Sequence, residues 1–353
     1  MLKIIHCADV HLGSKMEAKL PKIKAEERRA EVRATFHRMV EYAKQNGVRA
    51  ILIAGDAFDS DRPLKRDKEL FYAVVKKHPE IDFLYLRGNH DGAESYVEDL
   101  ENLKTFSTEW TAYEYGDVTV CGLELCRSNA TSLYSTLKLD KNRKNIVTLH
   151  GQIAATTGAD KIHLGKLAGK NIDYLALGHI HSYEQKTLDD RGRYAYSGCL
   201  EGRGFDEIGE KGFVLLEIEE SITARFVPFA TRTIQEHFVD ISCAEDAYTA
   251  YCEVKKQARF CAENLYRVNL TGEISFDDDG LGEEVERLLS SDCYFVSVKD
   301  KTLRKIDEKK FEGDVSLRGE FVRFVLANEK WSDERKRQVI SLGLKTLEGR
   351  EVE

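Results

Sequence analysis

Five short apolar runs punctuate the first half of the chain, and each ends against a residue able to bind a metal ion. They are "LKIIHCA" (2–8), "VRAILIA" (48–54), "IDFLYLR" (81–87), "IVTLH" (146–150) and "IDYLALG" (172–178). Such near-continuous runs read as strands buried on both faces. Helical patterns separate the first three. Residues 25–47 carry Val32, Phe36, Met39, Val40 and Ala43 at helical spacing, and Asn46-Gly47 closes them. Residues 64–78 repeat the pattern behind Pro63. From about 183 to 228 the rhythm changes to strands and turns, "YEQKTLD", "RYAYSGC", "GFVLLEI" and "ITARFVPF". Alternating strands and helices followed by hairpins predict an α/β fold with layered sheets, not a single doubly wound sheet.

Beyond a linker expected around Pro228 to Glu236, a smaller α+β unit follows. Helices are expected over 245–260 and 281–291, and strands over 264–274 and 293–300. A helical tail closes the sequence. Its stretch 317–330 carries Phe321, Phe324, Val325 and Leu326. After Ser332, an N-cap, Val339, Ile340, Leu344 and Leu347 form an apolar stripe. The 353 residues therefore suit one large and one small domain. With 42% hydrophobic and 32% charged residues the composition is that of a globular protein. No apolar run is long enough to span a bilayer and the start lacks a signal-peptide layout, so the expectation is a cytoplasmic protein without a membrane partner. The eight cysteines form no CxxC pair, which argues against a disulfide framework or a thiolate metal site. A net charge of −8 confines any nucleic-acid contact to a local basic surface or to bound cations.

The chemistry lies at the strand ends. Asp9 and His11 follow the first run two residues apart, a spacing at which a strand's period of two sends both side chains to one side. Asp56 follows the second run in "AGDAFD", and Asn89 and His90 follow the third in "RGNHD". His150 ends the fourth, and His179 and His181 follow the fifth in "GHIH". Ligand sites of open α/β sheets gather at the carboxyl ends of strands. Two carboxylates, one amide oxygen and four imidazoles suit Mn²⁺, Fe²⁺ or Zn²⁺. Seven donors exceed one tetrahedral ion but suit two ions sharing a carboxylate, a pair that sits roughly 3.5–4 Å apart in phosphoryl-transfer sites. Taken singly, each cluster could be a turn or a solvated loop; their order behind five strands is what marks a site. Glycines 55, 88, 151 and 178 flank the donors, where close backbone approach is needed.

In this order, D-x-H, G-D-x-x-D, G-N-H-[DE], a lone H and G-H-x-H, the motifs resemble the signature of the calcineurin-like metallophosphoesterases across residues 9–181. The longer stretches "HCADVHLGS", "GDAFDSDRP" and "LEGRGFDEIGEKGFVLLEI" resemble the bacterial SbcD nuclease subgroup with its YhaO-like members, strongly to about residue 230 and more weakly beyond. The resemblance implies a layered α/β/β/α sandwich over residues 1–232, a small α+β cap that helps place DNA over 233–312, and a helical tail over 313–353 that docks an ATPase, though its apolar stripe equally fits packing on the cap. It implies two divalent ions, Mn²⁺ foremost with Fe²⁺, Mg²⁺ or Zn²⁺ as alternatives. Asp9, His11, Asp56 and His181 would hold one; Asp56, Asn89, His150 and His179 would hold the other. An activated water between them would be the nucleophile. His90 would stabilise the transition state or protonate the leaving oxygen, with Asp91 orienting it.

The implied activity is that of a Mn²⁺-dependent DNA exo/endonuclease subunit in DNA repair, a homodimer working with an SbcC-like SMC-type ATPase. Lys15, Lys19, Lys22, Lys24, Arg28, Arg29 and, in "EGRGFD", Arg203 are candidate DNA contacts, though the lysines equally fit a solvated helix face. One position departs from the archaeal and eukaryotic branch, where a histidine stands three residues after the bridging aspartate; here it is Asp59, as in the bacterial branch. Two other functions fit the same residues: a phosphoesterase of small phosphoesters or nucleotides, and a DNA-end-binding scaffold whose metal site is mainly structural. The intact His90 speaks against the scaffold.

Overall fold

A computed structural model describes residues 1–16, 20–92, 98–276, 280–305 and 308–347. The apolar runs form strands at Leu2–Cys7, Ala50–Ala54, Asp82–Leu86, Lys144–His150 and Tyr174–Gly178. They are shared between two six-stranded sheets. In the first, Leu2–Cys7, Ala50–Ala54, Asp82–Leu86 and Leu103–Thr105 run parallel, and Gly212–Ile218 and Ile222–Pro228 join antiparallel beside Leu2–Cys7. In the second, Val118–Gly122, Lys144–His150, Tyr174–Gly178 and Arg193–Tyr196 run parallel between two antiparallel edges, Thr111–Tyr115 and Glu184–Thr187.

The period of two explains why these runs are apolar throughout. Ile4, Leu52 and Leu84 of the first sheet meet Val120, Ile146 and Ala176 of the second in one shared core. Their neighbours Ile5, Ile51, Ile53 and Phe83 point the other way, onto helix α1 (Lys22–Gln45) and helix α2 (Lys65–Lys77). The second sheet's outer residues, Val147, Leu149, Leu175 and Leu177, pack under Leu133, Tyr134 and Leu167. With helices outside and two sheets inside, the layered sandwich expected of the sequence is the fold. Parallel pairing brings the carboxyl ends of the central strands to one edge of each sheet.

The chain divides into two compact units, Met1–Ile234 and Gln235–Glu353. The expected linker is shorter than Pro228 to Glu236, because Ile234–Asp240 is itself a strand, pairing with Leu265–Thr271 beside Phe295–Asp300. In the second unit, helix Ala247–Gln257 opens with a capping box of Asp246 and Thr249. It packs with helix Leu281–Leu289 around Val254, Val268, Leu270 and Val285. Helices Leu317–Leu326 and Asp333–Leu347 close Val322 and Val325 onto Ile340 and Leu344. Arg337 lies 3.2 Å from Glu273 of the same unit. Among the described residues no helix is long and apolar enough to cross a membrane.

Arg28 corrects one sequence expectation. It stands four residues before Val32, on the buried stripe of α1, and only 1% of it is exposed. Its guanidinium donates to Glu201 at 3.0 Å, to the carbonyl of Gly202 at 2.7 Å, and to Glu31. Glu201 Oε1 also accepts from the Thr35 hydroxyl at 2.6 Å. Arg28 is thus an internal tie between helix and loop, not a DNA contact. Removing one partner of such a buried pair leaves an uncompensated charge and typically costs about 3–5 kcal/mol. Arg28→Met is therefore expected to lower unfolding stability in urea by about that amount, with much of it restored in Arg28→Met/Glu201→Met. A loss within the noise of the assay contradicts this assignment.

Candidate metal centre

Beyond the strand ends the backbone is held in unusual conformations. Six non-glycine residues among those described have positive φ, and Asp9 (+50°), His11 (+49°), Asp56 (+53°) and His179 (+102°) are four of them. Such strain persists only where surroundings over-determine it, and it clusters at functional sites. Asp9 and His11 therefore reach the centre by a left-handed turn after the strand stops at Cys7, not by the pleat alternation expected from their spacing.

Buried carboxylates pin these turns. The N–H of His179 donates to both oxygens of Asp9, at 3.1 and 3.0 Å. The N–H of His90 donates to Asp56 Oδ1 at 2.9 Å. Asp91 accepts from the N–H groups of Ala57, Phe58 and Gly88 at 3.3, 2.9 and 3.0 Å. Asp91 thus fastens two loops together, a different role from the expected one of orienting His90. Where His90 Nδ1 finds a neighbour, it is the carbonyl of Asp59 at 3.3 Å.

The side chains converge as two adjoining groups. In one, His11 Nε2 and His181 Nε2 face each other at 3.3 Å, and His181 Nε2 lies 3.9 Å from Asp9 Oδ1. In the other, Asn89 Oδ1 lies 2.9 Å from His150 Nε2 and 3.1 Å from His179 Nδ1. Asp56 Oδ2 stands between them, 4.0 Å from His11 Nε2 and 3.4 Å from His150 Nε2. Ligand atoms of Asp9, His11 and His181, of Asp9, Asp56 and His150, and of His11, Asp59 and His90 fall within 4.8 Å of one another in each group. All seven expected donors are brought together. Imidazole nitrogens and carboxylate oxygens aimed at shared points, with no thiolate, fit divalent cations.

The electrostatics follow from burial and pairing. Burial pushes the Asp56 carboxyl up, but His150 and His11 outweigh it and hold it down at about 2. Burial likewise opposes the charged form of His150, yet the Asp56 partner pushes it up to about 9. His179, half-buried, is lowered by burial and then by the positive charge of His150.

Two glycines are required here. A Cβ on Gly55 (φ +98°) would stand 2.0 Å from His150 Nδ1, and one on Gly88 would stand 2.1 Å from Asp56 Oδ1.

Outside the donors stands a second layer. Glu207, 3% exposed, meets His181 Nδ1 at 2.6 Å. Arg203 donates to Glu207 Oε1 through Nε at 2.9 Å and Nη2 at 2.7 Å, and to Asp59 Oδ1 at 2.8 Å. Its guanidinium is thus turned inward, which corrects the expectation that Arg203 contacts DNA. Glu207 was not singled out in the sequence; an acidic residue in a glycine-rich loop has no periodicity to betray it. Of the other basic candidates, Lys15 and Lys22 are exposed and Lys24 and Arg29 half-buried, while Lys19 lies outside the described residues.

Seven such donors on loops at the carboxyl edge of two packed sheets define a metal-dependent phosphoesterase site. Residues 2–183 match the calcineurin-like phosphoesterase family, and the chain belongs to it. Among curated relatives, the DNA double-strand break repair protein Mre11 of Saccharolobus solfataricus is 24% identical over an alignment of 385 positions, covering all of this chain and 97% of that protein. The protein of the same name from Sulfurisphaera tokodaii is 27% identical over 204 residues, 53% of this chain, so this match spans about half (51%) of that relative. The uncharacterized metallophosphoesterase YhaO of Bacillus subtilis is 29% identical over 241 residues, 62% of this chain and 57% of that protein.

Gly55 offers a direct test of the packing. Gly55→Ala must move His150 or unwind the turn, and a misplacement of about 1 Å in a catalytic constellation costs on the order of 10²-fold in rate. Hydrolysis of bis-p-nitrophenyl phosphate is expected to fall by about that factor. Full activity in the variant contradicts the close approach.

Proposed function

We propose that the protein is a Mn²⁺-dependent DNA phosphodiesterase of the SbcD type. The observation that carries this reading is the convergence of seven donors, with Asp56 between His11 and His150 and with His90 exposed at the rim. Asp9, His11, Asp56 and His181 would hold one ion, and Asp56, Asn89, His150 and His179 would hold the other. When bound, two such ions act as Lewis acids toward a phosphodiester and activate water at neutral pH.

The chain's own groups supply the rest. His90 is tied by its backbone N–H to Asp56 and stands edge-to-face with His11, ring centroids 5.1 Å apart. With Nδ1 toward the Asp59 carbonyl, Nε2 is directed to the ester, where it stabilises charge or gives a proton to the leaving oxygen. Asp91, by clamping Ala57, Phe58 and Gly88, holds the Asp56 and Asn89 loops in register.

The DNA reading draws on the full-length similarity to a double-strand break repair protein and on Lys15, Lys22 and Lys24 beside the first motif. The repair partners, an SbcC-like ATPase and a second copy of the chain, belong to the same reading. Exposed Leu317, Phe324 and Leu342 on the tail helices support a docking role there. A second reading, a phosphoesterase of small substrates, is favoured by the burial of Arg28, by the pairing of Arg203 with Asp59 and Glu207, and by the net charge of −8.

Purified protein incubated with labelled single-stranded DNA, a hairpin and bis-p-nitrophenyl phosphate, with and without Mn²⁺, separates the two. DNA cleavage dependent on Mn²⁺ is expected, falling steeply with salt. Reversing Lys15, Lys22 and Lys24 to Glu is expected to reduce DNA cleavage and spare the small diester; equal effects on both favour the small-substrate reading. His90→Gln is expected to keep both ions and lose about 10²–10⁴ in rate. Asp56→Asn, by contrast, should lose both ions by elemental analysis, and two retained ions contradict its shared role.

A further inference from the structure

Two histidines of the centre, His11 and His181, present Nε2 to the donor cluster and Nδ1 to a carboxylate outside it. His181 Nδ1 is hydrogen-bonded to Glu207 Oε1 at 2.6 Å, whereas His11 Nδ1 lies 3.0 Å from Asp59 Oδ1, a charge-pair distance outside hydrogen-bond geometry. Both carboxylates are gripped by one side chain. Arg203 reaches Asp59 through Nη1 at 2.8 Å and Glu207 through Nη2 at 2.7 Å, and its own N–H donates to Glu207 Oε2 at 2.6 Å. The other two side-chain nitrogen donors are held differently. His150 Nδ1 faces the carbonyl of Ala54 at 2.9 Å, whereas His179 turns Nδ1 itself inward to Asn89.

The asymmetry has a chemical meaning. An imidazole that ligates through Nε2 carries its proton on Nδ1, and a carboxylate accepting that proton fixes the tautomer and makes the ring a stronger donor. A backbone carbonyl fixes the tautomer with less charge. At 3.0 Å Arg203 Nη2 also faces His181 Nδ1, but two donors cannot share a bond. With Nδ1 protonated, both must point to Glu207, as the shorter distances indicate.

We infer that Arg203, Asp59 and Glu207 form a positioning triangle that acts on only one of the two cations, the one held by Asp9, His11, Asp56 and His181. This inference rests on the two-ion reading above. Arg203 grips two buried or half-buried carboxylates beside the centre and fixes their spacing. Glu207 in turn fixes His181 through a hydrogen bond, and Asp59 sets its charge against His11. The ion on the Asn89, His150 and His179 side has no such support. The aspartate three residues after Asp56 thereby acquires a role of its own in this chain: it is one arm of the triangle, and Arg203 is what makes a carboxylate tolerable there.

The test is a Mn²⁺ titration of the full chain, following free Mn²⁺ by its paramagnetic resonance signal, which reads binding and not turnover. His181→Ala marks the step belonging to the supported ion and His179→Ala the step belonging to the other. Loss of an outer partner of a metal-bound histidine typically costs about 10–100-fold in affinity. Asp59→Asn, which keeps the size of the side chain, is expected to weaken the first-marked step by about that factor and leave the second unmoved. Arg203→Lys, which keeps the charge and loses the fork, is expected to do the same. Combined with Asp59→Asn it should cost less than the sum, because the two share one path. Both steps shifting together, or neither, overturns the triangle. A parent protein that binds fewer than two ions, or in which His181→Ala and His179→Ala move the same step, overturns the two-ion reading and the triangle with it, an outcome visible before any outer variant is made.

Discussion

Buried carboxylates accepting backbone N–H bonds hold the carboxyl edge of this fold together. Asp9 and Asp56 are each 1% exposed and Asp91 6%. An ion so far from water is costly unless paired and hydrogen-bonded. Each is: Asp9 to the His179 amide, Asp56 to the His90 amide, Asp91 to three amides across two loops. These bonds cross from one strand end to another, joining the loop after the first strand to that after Tyr174–Gly178 and the loop after the second to that after the third. The left-handed turns at Asp9, His11, Asp56 and His179 are the backbone's side of the arrangement.

The cost is concentrated charge of one sign. Asp91 is driven up by burial and then by the neighbouring Asp56 charge. His150, raised by Asp56, offsets part of that charge. The two sheets provide the stiffness such a site needs, since the shared core behind it, from Ile4 and Leu52 to Ile146 and Ala176, is fully buried.

Much of this was legible in the sequence because it rests on periods. Strands buried on both faces read as apolar runs, the stripe of α1 reads at helical spacing, and the donors stand out by following strands. What escaped has no period. The strands Thr111–Tyr115 and Val118–Gly122 went unassigned, the first alternating only weakly, half-buried against exposed. Ile234–Asp240 hid in a stretch whose Pro228 suggested a linker. The i, i+2 spacing of Asp9 and His11 picked the right residues for the wrong reason, since the turn and not the pleat aims them. Arg28 was misjudged by its charge although its place before Val32 lay on the buried stripe. Arg203 and Asp91 were misassigned because their partners, Glu207 and the Phe58 loop, are neighbours only in space.

Two cations sharing Asp56 are the core of the proposed function, and crystals soaked in Mn²⁺ and measured for anomalous scattering test that most directly. The expected map has two peaks, separated by roughly 3.5–4 Å as in two-metal phosphoryl-transfer sites. Asp56 should lie between them, His11 and His181 against one, Asn89, His150 and His179 against the other. A single peak, or peaks away from Asp56, would contradict it.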